Sequence, residues 1–158
     1  MQVYAHAMTR LGDDSLVDSL VLQSMLPANP ASIYGQEAFR HLLWVERKRA
    51  AQAGRSPLLL LVSLSNSKSS DRRLSPLVSS TLFTGLQACL REVDFLGWYE
   101  EPLTLGAVLA QRTDPPADVA ALIAERVSGF LSHSVSPRVA ERLRVRVIRV
   151  GSELDAYV

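Results

Sequence analysis

Two groups of charged residues near the middle of the chain have the chemistry to bind a ligand. Arg91 and Asp94 form an Arg-x-x-Asp pair, and Glu100 and Glu101 follow a short aromatic stretch. A planar guanidinium and a carboxylate can together make charge-assisted hydrogen bonds to a polar molecule. The two glutamates could bind a cation, but neighbouring residues of an extended strand point to opposite faces. Arg91 and Asp94 are therefore the candidate ligand site of this sequence, while solvation or capping at a helix-to-strand junction is the favoured alternative. The glutamates are predicted to keep a hairpin tip soluble.

Histidine and cysteine spacing gives little sign of metal or thiol chemistry. His6, His41 and His133 have no metal-ligand spacing to one another or to Cys89. Cys89 lies on an apolar helical stripe, so it is predicted to be a small buried residue. Because it is the only cysteine, it cannot form an internal disulfide. No metal site and no cofactor are expected.

Hydrophobic spacing predicts the elements of the first half of the chain. Residues 13–26 have near-helical apolar spacing before a proline, which predicts a short amphipathic helix followed by a linker. A second helix is expected over 36–53, and the apolar run 57–64 predicts a central strand covered by helices. Ser75 and Pro76 have the residue types of an N-cap and a first helical position, so a third helix should begin there.

A hairpin and a fourth helix are expected next. Strands are predicted over about 94–100 and 103–110, with a tight turn between them. Asp114 is predicted to cap a helix opened by two prolines. The buried stripe of that helix is expected to consist of Val119, Leu122, Ile123, Val127 and Phe130.

The last predicted strand, 142–150, alternates apolar with basic residues. If its apolar residues face the helices, three arginines emerge on the open side of the sheet: Arg142, Arg144 and Arg146. An RNA-recognition module reads bases on such a face, but with stacking aromatics on its first and third strands. Those strands contain none here ("LLLLVSL" and "LTLGAVLA"), so no nucleic-acid partner is expected. The arginines could instead pair with acids of a neighbouring chain or domain.

The predicted order of elements is α-β-α-β-β-α-β. A βαββαβ core of this kind closes as an antiparallel sheet with two helices on one face, which is the ferredoxin-like α+β plan. A length of 158 residues suits one domain with a short appendage. We expect an N-terminal helix and linker over 1–32, the main domain over 33–151 and a C-terminal tail over 152–158.

Charge and hydropathy exclude some classes of partner. Seventeen basic against sixteen acidic side chains give no bulk attraction to nucleic acid or to an anionic membrane. No apolar run approaches the roughly 20 residues that a membrane-spanning helix needs. The N-terminus lacks the basic and apolar regions of a signal peptide. We therefore predict a cytoplasmic protein without membrane insertion.

Three phrases of the sequence, in this order, resemble the GGDEF domain, the bacterial diguanylate cyclase module with the nucleotide cyclase fold. "YGQEAFRHLLWVERKRA" is similar to the opening of that family, where Gly35 and Phe39 match. "PLLLLVSLSNSK" is similar to the first strand, and "REVD" to the Arg-x-x-Asp of the family's product-inhibition site. The resemblance spans about 34–150 and implies that fold for most of the chain.

The positions that would carry catalysis differ from the family. Aligning Lys68 with the family lysine puts Ser63 where the first metal-binding aspartate belongs and Ser65 where the second acid lies. A hydroxyl is a poor substitute for a carboxylate on Mg²⁺. The hairpin signature of the family aligns with Glu100, Glu101, Pro102, Leu103 and Thr104. Both glycines of that signature, which let the backbone approach the nucleotide, are therefore replaced. Because phosphoryl transfer relies on metal charge and positioning, the resemblance implies a domain without catalytic residues or enzyme activity.

The same resemblance implies roles for the remaining polar residues. Arg91 and Asp94 would grip cyclic di-GMP, and Lys68 would contact a phosphate. The expected function is an inactive GGDEF-like regulatory or interaction module in bacterial signalling. A cyclic di-GMP receptor and a residual nucleotide cyclase are the alternatives. The expected partner is another protein or domain, and the N-terminal helix could support a homodimer. The Gly-Trp-Tyr hairpin is similar to divergent domains beside bacterial exopolysaccharide machinery, which implies a role in polysaccharide or biofilm control.

Overall fold

The chain folds around a four-stranded antiparallel sheet that has helices on both faces. The structure, a computed structural model, describes residues 33–65, 72–91, 93–110 and 115–151. The expected helix over 13–26, Lys68, Asp114 and the tail over 152–158 lie outside the described residues. The elements, in chain order, are α1 (Gln36–Gln52), β1 (Leu58–Leu64), α2 (Pro76–Cys89), β2 (Phe95–Glu100), β3 (Thr104–Leu109), α3 (Val119–Ser134), α4 (Pro137–Arg142) and β4 (Leu143–Arg149).

The strand order is β2-β3-β1-β4, and every neighbouring pair is antiparallel. This order confirms the ferredoxin-like βαββαβ plan of an α+β fold. β1 lies inside the sheet, and its alternate residues face opposite layers. Leu60 and Val62 pack in one cluster with α2 and α3, whereas Leu59 packs in a second cluster with α1. Burial on both faces explains why this strand is apolar at nearly every position.

Two of the helices cover one face, as expected, and α1 covers part of the other. Leu82 of α2 and Leu131 of α3 are fully buried on the first face. Phe39 of α1 is fully buried on the second face. It reaches the strands because Gly97 and Gly106 carry no side chain: an added Cβ would lie 3.0 Å and 2.7 Å, respectively, from its ring. The sequence predicted that this second face of the sheet would be open. It is open only where α1 does not cover it.

Local signals set the ends of the first two helices. α1 ends where Gly54 adopts φ +66, a left-handed conformation that favours glycine. α2 begins at Pro76, and the Ser75 hydroxyl accepts a hydrogen bond of 3.2 Å from the Val78 N–H, as the sequence predicts. Within the described residues, no helix combines the length and the apolar composition that crossing a bilayer requires.

The second half of the chain departs from the prediction at several points. α3 begins at Val119, after the two prolines rather than at them. Its buried residues are Val127 and Leu131, while Leu122 and Phe130 are about half exposed, so the predicted stripe is wrong at those two positions. A short helix, α4, was not predicted. Its last residue is Arg142, so the arginines that belong to β4 on the α1 side are Arg144 and Arg146.

Candidate functional site

The end of β1 nearest the β2–β3 hairpin carries the residues that sequence comparison placed at a metal site. Ser63 lies opposite Thr104 of β3 on one side and opposite Arg144 of β4 on the other. Strand alternation puts these three residues on the face that α1 covers only in part. Ser65 follows the strand, and its N–H donates to the Arg142 carbonyl at 2.7 Å. Ser63, not Ser65, therefore borders the open part of that face.

A cavity of about 260 Å³ opens there. Two of the described lining residues are basic, Arg72 before α2 and Arg146 on β4, and none of those described is acidic. The described residues of the lining are Leu61, Ser63, Leu64, Arg72, Tyr99, Leu103, Thr104, Arg146 and Ile148. Neither arginine forms a hydrogen bond or an ion pair with a described residue. The cavity therefore has a positive and partly apolar lining.

Contacts from α1 hold the hairpin side of this cavity. Arg40 donates from Nε to the Tyr99 carbonyl at 2.8 Å, and its guanidinium carbon lies 5.4 Å from the centre of the Tyr99 ring. The Gln36 side chain accepts a hydrogen bond of 2.7 Å from the Glu101 N–H. These bonds fix the hairpin against α1, and the second one occupies the backbone N–H of Glu101, which the resemblance aligns with the second glycine of the GGDEF signature.

The segment before α2 is also attached to the hairpin, because the Leu74 N–H donates to the Pro102 carbonyl at 2.8 Å. This bond keeps Arg72, two residues earlier, on the hairpin side of the sheet. Glu100 and Glu101 are both exposed at the hairpin tip, as predicted, and neither lines the cavity. The peptide bond between Glu101 and Pro102 is cis.

The residues around Ser63 do not fit a pair of divalent cations. Mg²⁺ selects anionic oxygen ligands, and the cavity offers hydroxyl groups beside two guanidinium groups. Near a protein surface, two like unit charges about 4 Å apart repel by about 4 kcal/mol. No set of three histidine, cysteine or acidic side chains in the described part of the chain is arranged to hold a metal. The described residues at this place therefore lack the donor set of a metal pair.

Arg91 and Asp94 form a closed local network at the start of β2. The Asp94 carboxylate accepts from the Arg91 N–H at 2.9 Å, from the Arg91 guanidinium at 3.1 Å and from the Ala110 N–H at 3.1 Å. The Arg91 guanidinium also donates to the Ala110 carbonyl. The Asp94 side chain is only 3% exposed, whereas that of Arg91 is 57% exposed. The pair therefore joins the end of α2 to the end of β3, which is the capping role considered as the alternative.

The other polar and aromatic candidates have structural contacts. The Trp98 ring packs edge-on against Phe83, with ring centres 5.3 Å apart, so Trp98 is a packing residue. The His41 ring stacks on the Trp44 ring. The Nδ1 atom of His133 lies 2.7 Å from the Gly129 carbonyl oxygen of the same helix. His6 lies outside the described residues.

Cys89 contradicts the prediction of a buried thiol. It is the last residue of α2 and is exposed, whereas the next residue, Leu90, is partly buried against the core. Partial desolvation still raises the pKa of the Cys89 thiol. A raised pKa lowers the fraction of reactive thiolate at neutral pH.

The sequence did not predict that Arg72 and Tyr99 lie near Ser63. It placed Arg146 on an open face of the sheet, whereas the structure places it in the lining of the cavity. The alternation along β4 was the available signal for Arg146, and it placed this side chain on the correct face of the sheet. What it lacked was the strand order, which puts Arg146 opposite Leu61 on the interior strand. No local pattern around Arg72 indicates where that residue lies.

Comparison with known proteins supports the fold. No protein-family model matches the sequence, and no curated protein is significantly similar to it. A DGC protein from Thermotoga maritima has a similar structure, with a TM-score of 0.54 and 17% identity over 77% of this chain and 83% of that one. The diguanylate cyclase SiaD from Pseudomonas aeruginosa, solved in complex with its activator SiaC, has a TM-score of 0.57 and 17% identity over 99% of this chain and 63% of that one.

These similarities establish the class of fold. The chain has the fold of diguanylate cyclase (GGDEF) domains, as the resemblance of its sequence implied. At this level of identity the likeness is one of architecture, so function has to be argued from the residues of the site.

Proposed function

We propose that this chain is a GGDEF-like regulatory or interaction module without cyclase activity. One observation carries the proposal: Ser63 borders a cavity whose described lining contains hydroxyl groups and two arginines and no carboxylate. A cyclase of this fold would need metal-bound phosphates at that place, and transfer of a phosphoryl group depends on that metal charge.

The hairpin supports the same proposal. The positions of the two signature glycines hold Glu100 and Glu101, and the Glu101 N–H is already bonded to Gln36. A nucleotide could approach the backbone there only by displacing side chains and a proline. Both contributions to catalysis, metal charge and close approach, are therefore opposed by the residues of the cavity and the hairpin.

The regulatory part of the proposal concerns partners. We place the chain in bacterial signalling, with another protein or a second copy as its partner and with control of exopolysaccharide or biofilm formation as the process. One protein of similar structure was solved with an activator protein, which supports contact with a protein as a use of this fold. Sedimentation equilibrium over a range of concentrations tests the homodimer, and a mass that stays monomeric throughout removes it.

Reception of cyclic di-GMP through Arg91 and Asp94 is the second proposal. The exposed guanidinium of Arg91 supports it. Against it, both carboxylate oxygens of Asp94 already accept hydrogen bonds within the chain, and a ligand would have to replace them. Calorimetric titration with cyclic di-GMP decides: micromolar binding that is lost in Arg91→Ala supports a receptor, and no heat of binding removes it.

A direct assay tests the loss of cyclase activity. Purified protein is incubated with GTP or ATP and with Mg²⁺ or Mn²⁺, and products are separated by chromatography. We expect no cyclic nucleotide or dinucleotide above a heat-denatured control. Any such product overturns the proposal. If the product also forms with Ser63→Ala, the assignment of Ser63 to the metal position is wrong as well.

A further inference from the structure

The cavity beside Ser63 combines basic, hydroxyl-bearing and apolar side chains in its lining. Arg72 and Arg146 supply positive charge, and neither is neutralised by a described residue. Arg144, which lies opposite Ser63 at the rim, directs its guanidinium to the carbonyls of Glu141 and Leu143, at 3.2 and 2.8 Å. Within the described part of the chain, no acidic group therefore competes with an anion for the two arginines of the lining.

Hydroxyl groups face the same space. Ser63 and Thr104 are paired in register across β1 and β3, and neither side chain makes a hydrogen bond to a described residue. A hydroxyl can donate to an anionic oxygen, and a guanidinium presents a planar fork that matches phosphate geometry. Two guanidinium groups with two hydroxyls are thus a donor set for phosphate and not for a cation.

The remaining lining is apolar, and the volume limits what can enter. Leu61, Leu103 and Ile148 surround the polar groups, together with the Tyr99 ring that Arg40 holds in place. A volume of about 260 Å³ lies just below the range of roughly 300–1,000 Å³ for pockets that bind drug-sized ligands. The occupant is therefore small, and a whole dinucleotide is too large to be enclosed.

We propose that this cavity binds a small organic phosphate without a divalent metal. The phosphate lies between Arg72 and Arg146 and accepts from the hydroxyls of Ser63 and Thr104, and the organic part contacts the apolar lining. The inference rests on the proposed function, because the residues that oppose a metal pair are the ones that bind the anion. In this arrangement the former catalytic position of the fold becomes a ligand sensor.

Titration calorimetry in EDTA tests the site with inorganic phosphate and phenyl phosphate as probes. We expect both to bind, with phenyl phosphate the tighter because its ring enters the apolar part. Arg146→Gln and Arg72→Gln should each weaken binding about tenfold or more, the effect of losing a charge-assisted hydrogen bond. Arg126→Gln is the matched control, since Arg126 is exposed on α3, which packs on the other face of the sheet. It should bind as the wild type does.

The outcomes separate this inference from the proposed function. No binding to the wild type at millimolar probe, equal binding by all three variants, or binding that requires Mg²⁺ overturns the phosphate site. Product formation from GTP or ATP overturns the proposed function instead. Circular dichroism on each variant shows whether it folds. Arg72→Gln lies outside the sheet, so it keeps the test valid even if Arg146→Gln disturbs β4.

Discussion

Gly97 and Tyr34 are in contact across the outer edge of the sheet. The segment containing Tyr34 forms a parallel bridge with Gly97: the Tyr34 N–H donates to the Leu96 carbonyl, and the Trp98 N–H donates to the Tyr34 carbonyl, both at 3.0 Å. A Cβ on Gly97 would lie only 2.5 Å from the Tyr34 carbonyl oxygen. The edge strand β2 is thereby covered, and the entry to α1 is fixed beside it.

Replacing this glycine should destabilise the fold. Gly97→Ala forces backbone atoms and the Phe39 ring apart, so we expect a loss of about 1–3 kcal/mol in the free energy of unfolding. Gly129→Ala is the matched control, because nothing lies within 4 Å of its added Cβ and it sits in helix α3. It should be neutral or stabilising by up to about 1 kcal/mol. Urea unfolding measures both, and equal effects of the two substitutions would contradict the close approach.

Asp94 should matter more to stability than Arg91. Asp94→Ala leaves the N–H groups of Arg91 and Ala110 without their acceptor in a largely buried place, which should cost about 2–4 kcal/mol. Arg91→Ala removes a half-exposed partner while both backbone bonds to the carboxylate remain, so about 1 kcal/mol is expected. Chemical denaturation compares the two. A larger loss for Arg91→Ala would show that the guanidinium, and not the carboxylate, holds the junction.

A single acid restored at the β1 position should not create a magnesium site. Ser63→Asp places one carboxylate beside Arg144 and Arg146, and a guanidinium partner competes with a cation for it. Thermal unfolding of this variant should be the same with millimolar Mg²⁺ and with EDTA. A melting temperature that rises with Mg²⁺ concentration in Ser63→Asp, but not in Ser63→Asn, would contradict our account of the donor set.

The Cys89 thiol should react slowly despite its exposure. Partial burial of the thiol raises its pKa, because it removes water from around the charged form. The fraction of thiolate at any given pH is therefore smaller than for a free cysteine. The rate of reaction with a disulfide reagent should therefore rise with pH to a midpoint above the one found for the protein unfolded in urea. A midpoint at or below the unfolded value would show that the thiol is not desolvated.

Local sequence predicted those elements whose ends carry strong signals. Ser75 and Pro76 fixed the start of α2, and the apolar run of β1 indicated a central strand covered by helices. The start and the buried stripe of α3 were predicted less well. This helix has apolar residues on more than one side, and its orientation is set by Gly85 of α2, where an added Cβ would lie 2.7 Å from the Leu131 side chain. Such a contact between helices has no counterpart in local periodicity.

The sequence alone determined which residues stand in β1 and in the hairpin, and from these residues the resemblance predicts that hydroxyls and glutamates replace the acids and glycines of the GGDEF signature. Composition and alternation are properties of adjacent residues, so they can be recognised without a fold. The tertiary structure decided that Ser63, Thr104 and Arg146 share one cavity and that the Asp94 carboxylate is used within the chain. Those facts depend on strand order and on contacts between residues far apart in sequence, which only the packed sheet brings together.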